Sequence, residues 1–323
     1  MGGIGQVTAV SMRELDLSVN LLTGPIPQTI GNMKNLTLLY LYYNDFAGAI
    51  PVSVGLLPNL KDIKLFNNML SGPLPPELGK HSPLGNLEVS NNLLTGELPD
   101  TLCYNKKLYD IVALTFLDMS NNHLSGALPN DINKLSSAME HLNLSSNGFI
   151  GSVPLAIAEF LKLKSLVLDS NSFNGSYPGA AIGNLTQLET LTLANNPFAP
   201  GPIPEEFSGL KKLQILWLSG MNLTGVIPHA LSALTELTIL ALSDNKLEGV
   251  IPTWVWKLPK LELLYLYANR FTGGIGPEIT AVSMRELDLS VNLLTGPIPY
   301  NIGNMKNLTL LYLYYNDFFG AIP

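Results

Sequence analysis

One pattern constrains this chain more than any other. Every 23 to 25 residues, with few departures, an asparagine closes a short run of alternating apolar residues. "LDLSVNLLTGPIP", "LYLYYNDFAGAIP", "IKLFNNMLSGPLP" and "LEVSNNLLTGELP" set that asparagine at Asn20, Asn44, Asn68 and Asn92. The series continues at Asn122, Asn147, Asn171, Asn196, Met221, Asn245, Asn269, Asn292 and Asn316, thirteen repeats that fill nearly all 323 residues. A repeat this short cannot bury its leucines alone. It must lay them against the next repeat, so the period itself dictates a stacked array.

Each place in the repeat has a physical task. Leucines two apart, such as Leu39 and Leu41, suit a short strand with one buried face. The asparagine then sits where the chain leaves the strand, and its amide can satisfy backbone groups of its own and the neighbouring repeat. A ladder of stacked asparagines follows, interrupted at Met221, where Asn222 is the nearest substitute. Gly24-x-Ile26-Pro27 supplies a turn, a core residue and a residue without an N–H; the proline place is kept in every repeat except the eleventh, where Gly276 stands. Stretches such as "QTIGNMKN" are too short for a full helix and predict 3₁₀ or extended segments.

The pattern L-x-x-L-x-L-x-x-N-x-L resembles the leucine-rich repeat, and the Gly-x-Ile-Pro insertion resembles its plant extracellular type. "LANNPFAPGPIPEEFSGLKKLQILWLSGMNLTG" (193–225) and "PPELGKHSPLGNLEVSNNLLTGELPDTLC" (75–103) are similar to ectodomains of HAESA-like receptor kinases of cereals. The resemblance implies an α/β repeat fold: one curved solenoid over 1–323, with parallel strands on the concave face and 3₁₀ or extended segments on the convex face. It also implies a cell-surface or apoplastic location and a peptide or protein ligand, with a co-receptor ectodomain as a further partner. Several parts of such receptors have no counterpart here. "MGGIGQVTAV" lacks the basic and apolar regions of a signal peptide, and Gln6 stands where a myristoylation motif on Gly2 wants Ser or Thr. There is no cap cysteine pair, no apolar run that spans a bilayer, and no kinase motif. HAESA-like receptors hold a peptide carboxylate with an Arg-x-Arg pair; the arginines here, Arg13, Arg270 and Arg285, contain no such spacing.

Composition narrows the function. Charged residues make up 13% of the chain and the net charge is −7, which argues against nucleic acid and against an anionic membrane surface. A lone Cys103 permits no internal disulfide, and a buried, inert thiol is expected. His81, His123, His141 and His229 have no metal-ligand spacing, and no nucleophile motif is present. The expectation is a non-catalytic recognition module without cofactor or metal.

Residues pointing outward from the strands are the candidate site: Tyr40, Tyr42, Lys64, Phe66, Phe116, Trp217, Tyr265, Tyr267, Tyr312 and Tyr314. Interleaved acids are Glu14, Asp16, Asp62, Glu88, Asp118, Asp169, Glu286 and Asp288. Tyrosine and tryptophan anchor interfaces, although aromatics also suit strands for their own sake. A ligand with basic character would complement the acids. Sequons at Asn35, Asn143, Asn174, Asn184, Asn222 and Asn307 are glycosylation candidates. Two other readings fit the same pattern: a soluble inhibitor of microbial cell-wall hydrolases, similar to polygalacturonase-inhibiting proteins, and a permuted or truncated array with no independent function. A structural or ice-binding array ranks below both, because the outward positions are too varied.

Two irregularities stand apart. Residues 2–51 nearly duplicate 273–323; from Thr8 and Thr280 onward they differ only at Gln28/Tyr300, Thr29/Asn301 and Ala47/Phe319. A seam near 104–116 stretches one repeat, from Asn92 to Asn122. Both fit a rearranged array, and equally a recent duplication plus one long loop; leucine layers exposed at the ends would favour end-to-end self-association.

Overall fold

The computed structural model describes residues 10–99, 102, 114–276 and 278–323. Cys103 and the seam up to residue 113 lie outside them, as do residues 1–9 of the duplicated segment. The chain divides into two compact units, Met1–Leu163 and Lys164–Pro323.

In the first unit six three-residue strands pair in parallel, each with the next: Glu14–Asp16, Leu38–Tyr40, Asp62–Lys64, Asn86–Glu88, Phe116–Asp118 and His141–Asn143. The second unit repeats the arrangement over Ser165–Val167, Thr190–Thr192, Ile215–Trp217, Ile239–Ala241, Leu263–Tyr265, Glu286–Asp288 and Leu310–Tyr312. The register never slips, because the middle leucine or isoleucine of each strand must meet its counterpart in the core. Leu39, Ile63, Leu87 and Leu117, like Leu191, Leu216, Leu240 and Leu264, are buried, while their flanking residues face outward.

A second parallel sheet follows the ladder position in every repeat except those of Asn171 and Asn196. It runs over Thr23–Gly24, Asp45–Ala49, Met69–Gly72, Leu93–Gly96, His123–Ala127 and Gly148–Ile150 in the first unit. In the second it runs over Thr224–Gly225, Lys246–Val250, Arg270–Gly273, Leu293–Gly296 and Asp317–Phe318. The sequence does not announce this sheet. Its strands read as "LLTG" turns and pair only because the repeats bring them side by side.

The far side carries the expected 3₁₀ turns, among them Gln28–Asn32, Glu205–Gly209 and Thr253–Lys257, with four-residue α-turns at Val52–Gly55 and Gly179–Ile182. The motif's proline precedes these turns. Pro27, with φ −74° and ψ 142°, is extended, and its carbonyl accepts the Ile30 N–H. Among the described residues no helix is long and apolar enough to cross a membrane.

The asparagine ladder forms as expected. Asn44 Nδ2 donates to the carbonyls of Leu41, Tyr42 and, one repeat back, Leu17, while its Oδ1 accepts the Leu22 N–H at 3.0 Å. Before each of these asparagines the chain takes a left-handed conformation, usually without glycine: Val19 at φ 55°, Tyr43 at 54°, Val291 at 54°. That conformation costs a β-branched residue about 1–2 kcal/mol. The Val291 side chain is exposed, and only its backbone is committed: its N–H donates to Tyr314 O and its carbonyl accepts the Asn269 N–H. Val291→Asn is therefore expected to stabilise the second unit by about 1 kcal/mol, read as a higher denaturation midpoint.

Both departures from the repeat have local explanations. At Met221 the ladder closes around the gap: Phe198 N–H turns to Asn196 O at 2.8 Å, and Asn222 Nδ2 reaches Phe198 O at 3.2 Å. Asn245 Oδ1 then takes both Met221 and Leu223 N–H groups. At Gly276 the reason is steric. A Cβ there would lie 2.8 Å from Cδ1 of Trp256, whose indole is fully buried. Gly276→Ala is expected to cost about 1–3 kcal/mol, the range for overpacking, seen as a lower urea midpoint of the second unit.

Candidate functional site

The outward strand face of the first unit is largely self-satisfied. Tyr40 O–H donates to Asp62 at 2.6 Å, and Lys64 Nζ lies 3.0 Å from Glu88 and 5.4 Å from the centre of the Tyr40 ring. Burial, the Asp62 hydrogen bond and the surrounding carboxylates push the Tyr40 phenol well above its ordinary range. Tyr42 stacks flat on Phe66, ring centres 4.6 Å apart, and Phe116 leans on His141 at 5.2 Å. These side chains have one another as partners.

The second unit is different. Trp217, Tyr265, Tyr267 and Tyr312 line one groove of about 270 Å³ together with Asn195, Ser219, Ser243, Asp244, Glu286, Asp288 and Leu310. Its depth comes from small residues between large ones. In the strand register Ala241 stands between Trp217 and Tyr265. Beside it Ser243 donates to Ser219, Oγ to Oγ, at 2.8 Å. Trp217 is 40% exposed and Tyr312 46%, so both are open to solvent.

Charge in this groove is of one sign. Tyr265 O–H donates to Glu286; burial first, then that bond and the nearby carboxylates, push the phenol up to about 12. Tyr265 therefore keeps its proton and the bond at neutral pH. Its raised value stabilises the fold fully below the ordinary tyrosine range near pH 10, and that contribution is lost as pH climbs through about 12. Asp288 Oδ1 accepts both the N–H and the hydroxyl of Ser290. Asp244 is exposed. Among the described residues none of these three acids has a salt-bridge partner, and no lysine or arginine lines the groove.

The sequence reading thus named four of the groove's aromatics and two of its acids. It missed Ser219 and Ser243, which occupy the same outward positions, and Asn195 and Asp244, which hold the left-handed place before the ladder. Tyr314 sits against Tyr312 at 5.8 Å, outside the groove lining. Of the sequons, Asn35, Asn174, Asn184 and Asn307 are exposed. Asn143 lies on a strand with its Oδ1 accepting from Ser145, and Asn222 is half-buried with its amide used at the ladder break.

The repeat is matched by family models for leucine-rich repeats at 11–33, 113–135, 138–160, 187–210, 211–271 and 283–305, together more than half of the chain. Receptor-like protein kinase HAIKU2 of Arabidopsis thaliana is 35% identical over 126 residues, 39% of this chain and 12% of that protein. Receptor-like protein 39 of the same plant is 40% identical over 79 residues, 24% and 9% of the two chains. Among solved structures, the Arabidopsis receptor kinase HAESA in complex with the peptide hormone IDA and the co-receptor SERK1 superposes with a TM-score of 0.86 at 32% identity. That match covers all of this chain and 53% of that one. The PEPR1–AtPEP1 structure matches equally well, at 35% identity over all of this chain and 44% of its own. The chain spans only part of the relatives it matches, about half of the HAESA ectodomain. Its fold is the leucine-rich repeat solenoid, and the chain belongs to the leucine-rich repeat family, with the array of plant receptor-like ectodomains.

Proposed function

We propose that the chain is a non-catalytic recognition module that takes an extended peptide of net positive charge across the strand face of its second unit. The observation that carries this reading is the groove's one-sided chemistry: solvent-open aromatics beside three carboxylates that have no salt-bridge partner among the described residues, with no cation in the lining. Lysine and arginine side chains are recognised by such a setting through carboxylates and through the faces of tryptophan and tyrosine. From the strand of Trp217 to that of Tyr312 the sheet crosses four strand spacings, about 19 Å at about 4.8 Å each. About six extended residues cover that distance. The relatives solved with peptide hormones support a peptide as the ligand class, and the HAESA complex supports a co-receptor ectodomain as a second partner. The exposed sequons and the cell-surface relatives support an extracellular setting.

Calorimetric titration with peptides matched in length and apolar content but carrying lysine and arginine, or aspartate and glutamate, tests the reading. Binding of the cationic set alone is expected, weakening as salt is raised. Equal binding of both sets, or of neither, would sink it. Inhibition of a microbial polygalacturonase in the same preparation would favour the hydrolase-inhibitor reading instead.

A further inference from the structure

Asp288 is the buried acid of the groove. It is 9% exposed, whereas Glu286 is half-buried and Asp244 exposed. Ser290, itself 1% exposed, fixes the Asp288 carboxylate by donating its N–H and hydroxyl to Oδ1 at 2.9 and 2.6 Å. Among the described residues no hydrogen bond reaches Oδ2, and no lysine or arginine pairs with the group. A carboxylate withdrawn from water without a counter-ion favours a cation that can enter beside it. The strand register sets a tyrosine on each side: Tyr265 on the strand before and Tyr312 on the strand after. Tyr265 O–H donates to Glu286, on the strand that carries Asp288, so that ring is tethered toward the acid's strand.

Neighbouring strands lie about 4.8 Å apart, so a cation above Asp288 stands about that far sideways from each tyrosine's strand. A ring face attracts a cation out to about 6 Å, and more strongly where water is excluded. The first unit shows the same residue types holding an ammonium: Lys64 Nζ lies 5.4 Å from the centre of the Tyr40 ring and 3.0 Å from Glu88. We propose that Asp288, Tyr265 and Tyr312 form an aromatic cage that takes one ammonium head of the ligand, and takes it fully methylated as readily as bare. Resting on the reading of the groove as a cationic-peptide site, the cage fixes where one cation sits and what recognises it. Methylation is the discriminating chemistry. A trimethylammonium keeps its charge but has no N–H, so a seat built on hydrogen bonds to carboxylates loses it, whereas ring faces keep it.

Calorimetry on the full chain, with short glycine–leucine peptides that differ at one central residue, tests the cage. That residue is lysine, trimethyl-lysine, the neutral isostere with tert-butyl in place of trimethylammonium, or glutamate. The lysine and trimethyl-lysine forms are expected to bind within about threefold of each other, and the neutral isostere about 10-fold or more weaker. Tyr312→Leu is expected to weaken the trimethyl-lysine form about 5- to 30-fold, and Tyr312→Phe, which keeps the ring, to stay within about twofold. Asp288→Asn keeps an oxygen for the Ser290 bonds and is expected to cost about 10-fold in affinity for the lysine form. Asp16→Asn is its control: Asp16 makes the same two bonds to Ser18 but is exposed, and affinity should not move. A loss of about 10-fold or more on trimethylation alone overturns the cage and leaves the cationic reading standing, as does undiminished binding by Tyr312→Leu. Glutamate or the neutral isostere binding as well as lysine, or no form binding at all, would sink both.

Discussion

Trp217→Ala is expected to weaken binding of a cationic peptide by about 30-fold or more, the 2 kcal/mol or greater that marks a hot-spot aromatic. The side chain is 40% exposed, so its removal empties the groove wall without opening the core, and the thermal midpoint should hardly move. Tyr42→Ala in the first unit is the matched control. Tyr42 is engaged by Phe66 within its own sheet, and its loss should leave peptide affinity within about twofold while lowering local stability. Calorimetry of the two variants side by side separates a specific groove from a generally sticky strand face. Equal loss in both would mean that aromatics anywhere on the face contribute alike.

The largest stability effect is expected at the asparagine ladder, and the duplication supplies its control. Asn292 and Asn20 share the same local sequence, "DLSVNLLTG". Asn292 is buried, its amide donating to Leu266, Leu289 and Ser290 carbonyls while its Oδ1 accepts the Phe271 N–H. Asn20 is exposed, and its amide reaches only Leu17 and Ser18. Asn292→Ala leaves several buried backbone groups without partners and is expected to cost about 3–5 kcal/mol. Asn20→Ala, whose carbonyls turn to water, is expected to cost about 1 kcal/mol or less. Urea unfolding followed by circular dichroism reads both. Similar costs at the two sites would show that local geometry at the turn, and not burial between repeats, is what the asparagine provides.

That pair also shows how much was legible in the sequence. The period, the strands, the inward leucines, the ladder and the 3₁₀ turns follow from residues within a single repeat, and the duplicated segments take the same backbone wherever they occur. Burial does not follow in this way. Leu39 and Leu311 have the same neighbours in sequence, yet one is fully buried and the other 39% exposed, because burial depends on the next repeat. The second sheet was missed for the same reason: Leu93–Gly96 looks like a turn until Met69–Gly72 lies beside it. The candidate site was half legible. Outward aromatics can be read from alternation, but a groove needs low ground as well as high. The low ground at Ala241, Ser219 and Ser243 becomes visible only when the register places it between Trp217 and Tyr265. Gly276 was an unexplained departure until the Trp256 indole was found against it.

Tryptophan fluorescence offers the most direct test of the binding account, because the three tryptophans report separately on core and groove. Trp256 is fully buried and Trp254 is 8% exposed, so acrylamide quenching reads Trp217 almost alone. Saturation with a cationic peptide, fixed by calorimetry, is predicted to shield that quenchable emission, and the charge-reversed peptide is predicted to leave it unchanged. Undiminished quenching at full cationic-peptide saturation would contradict the account, since the ligand would then lie somewhere other than the groove.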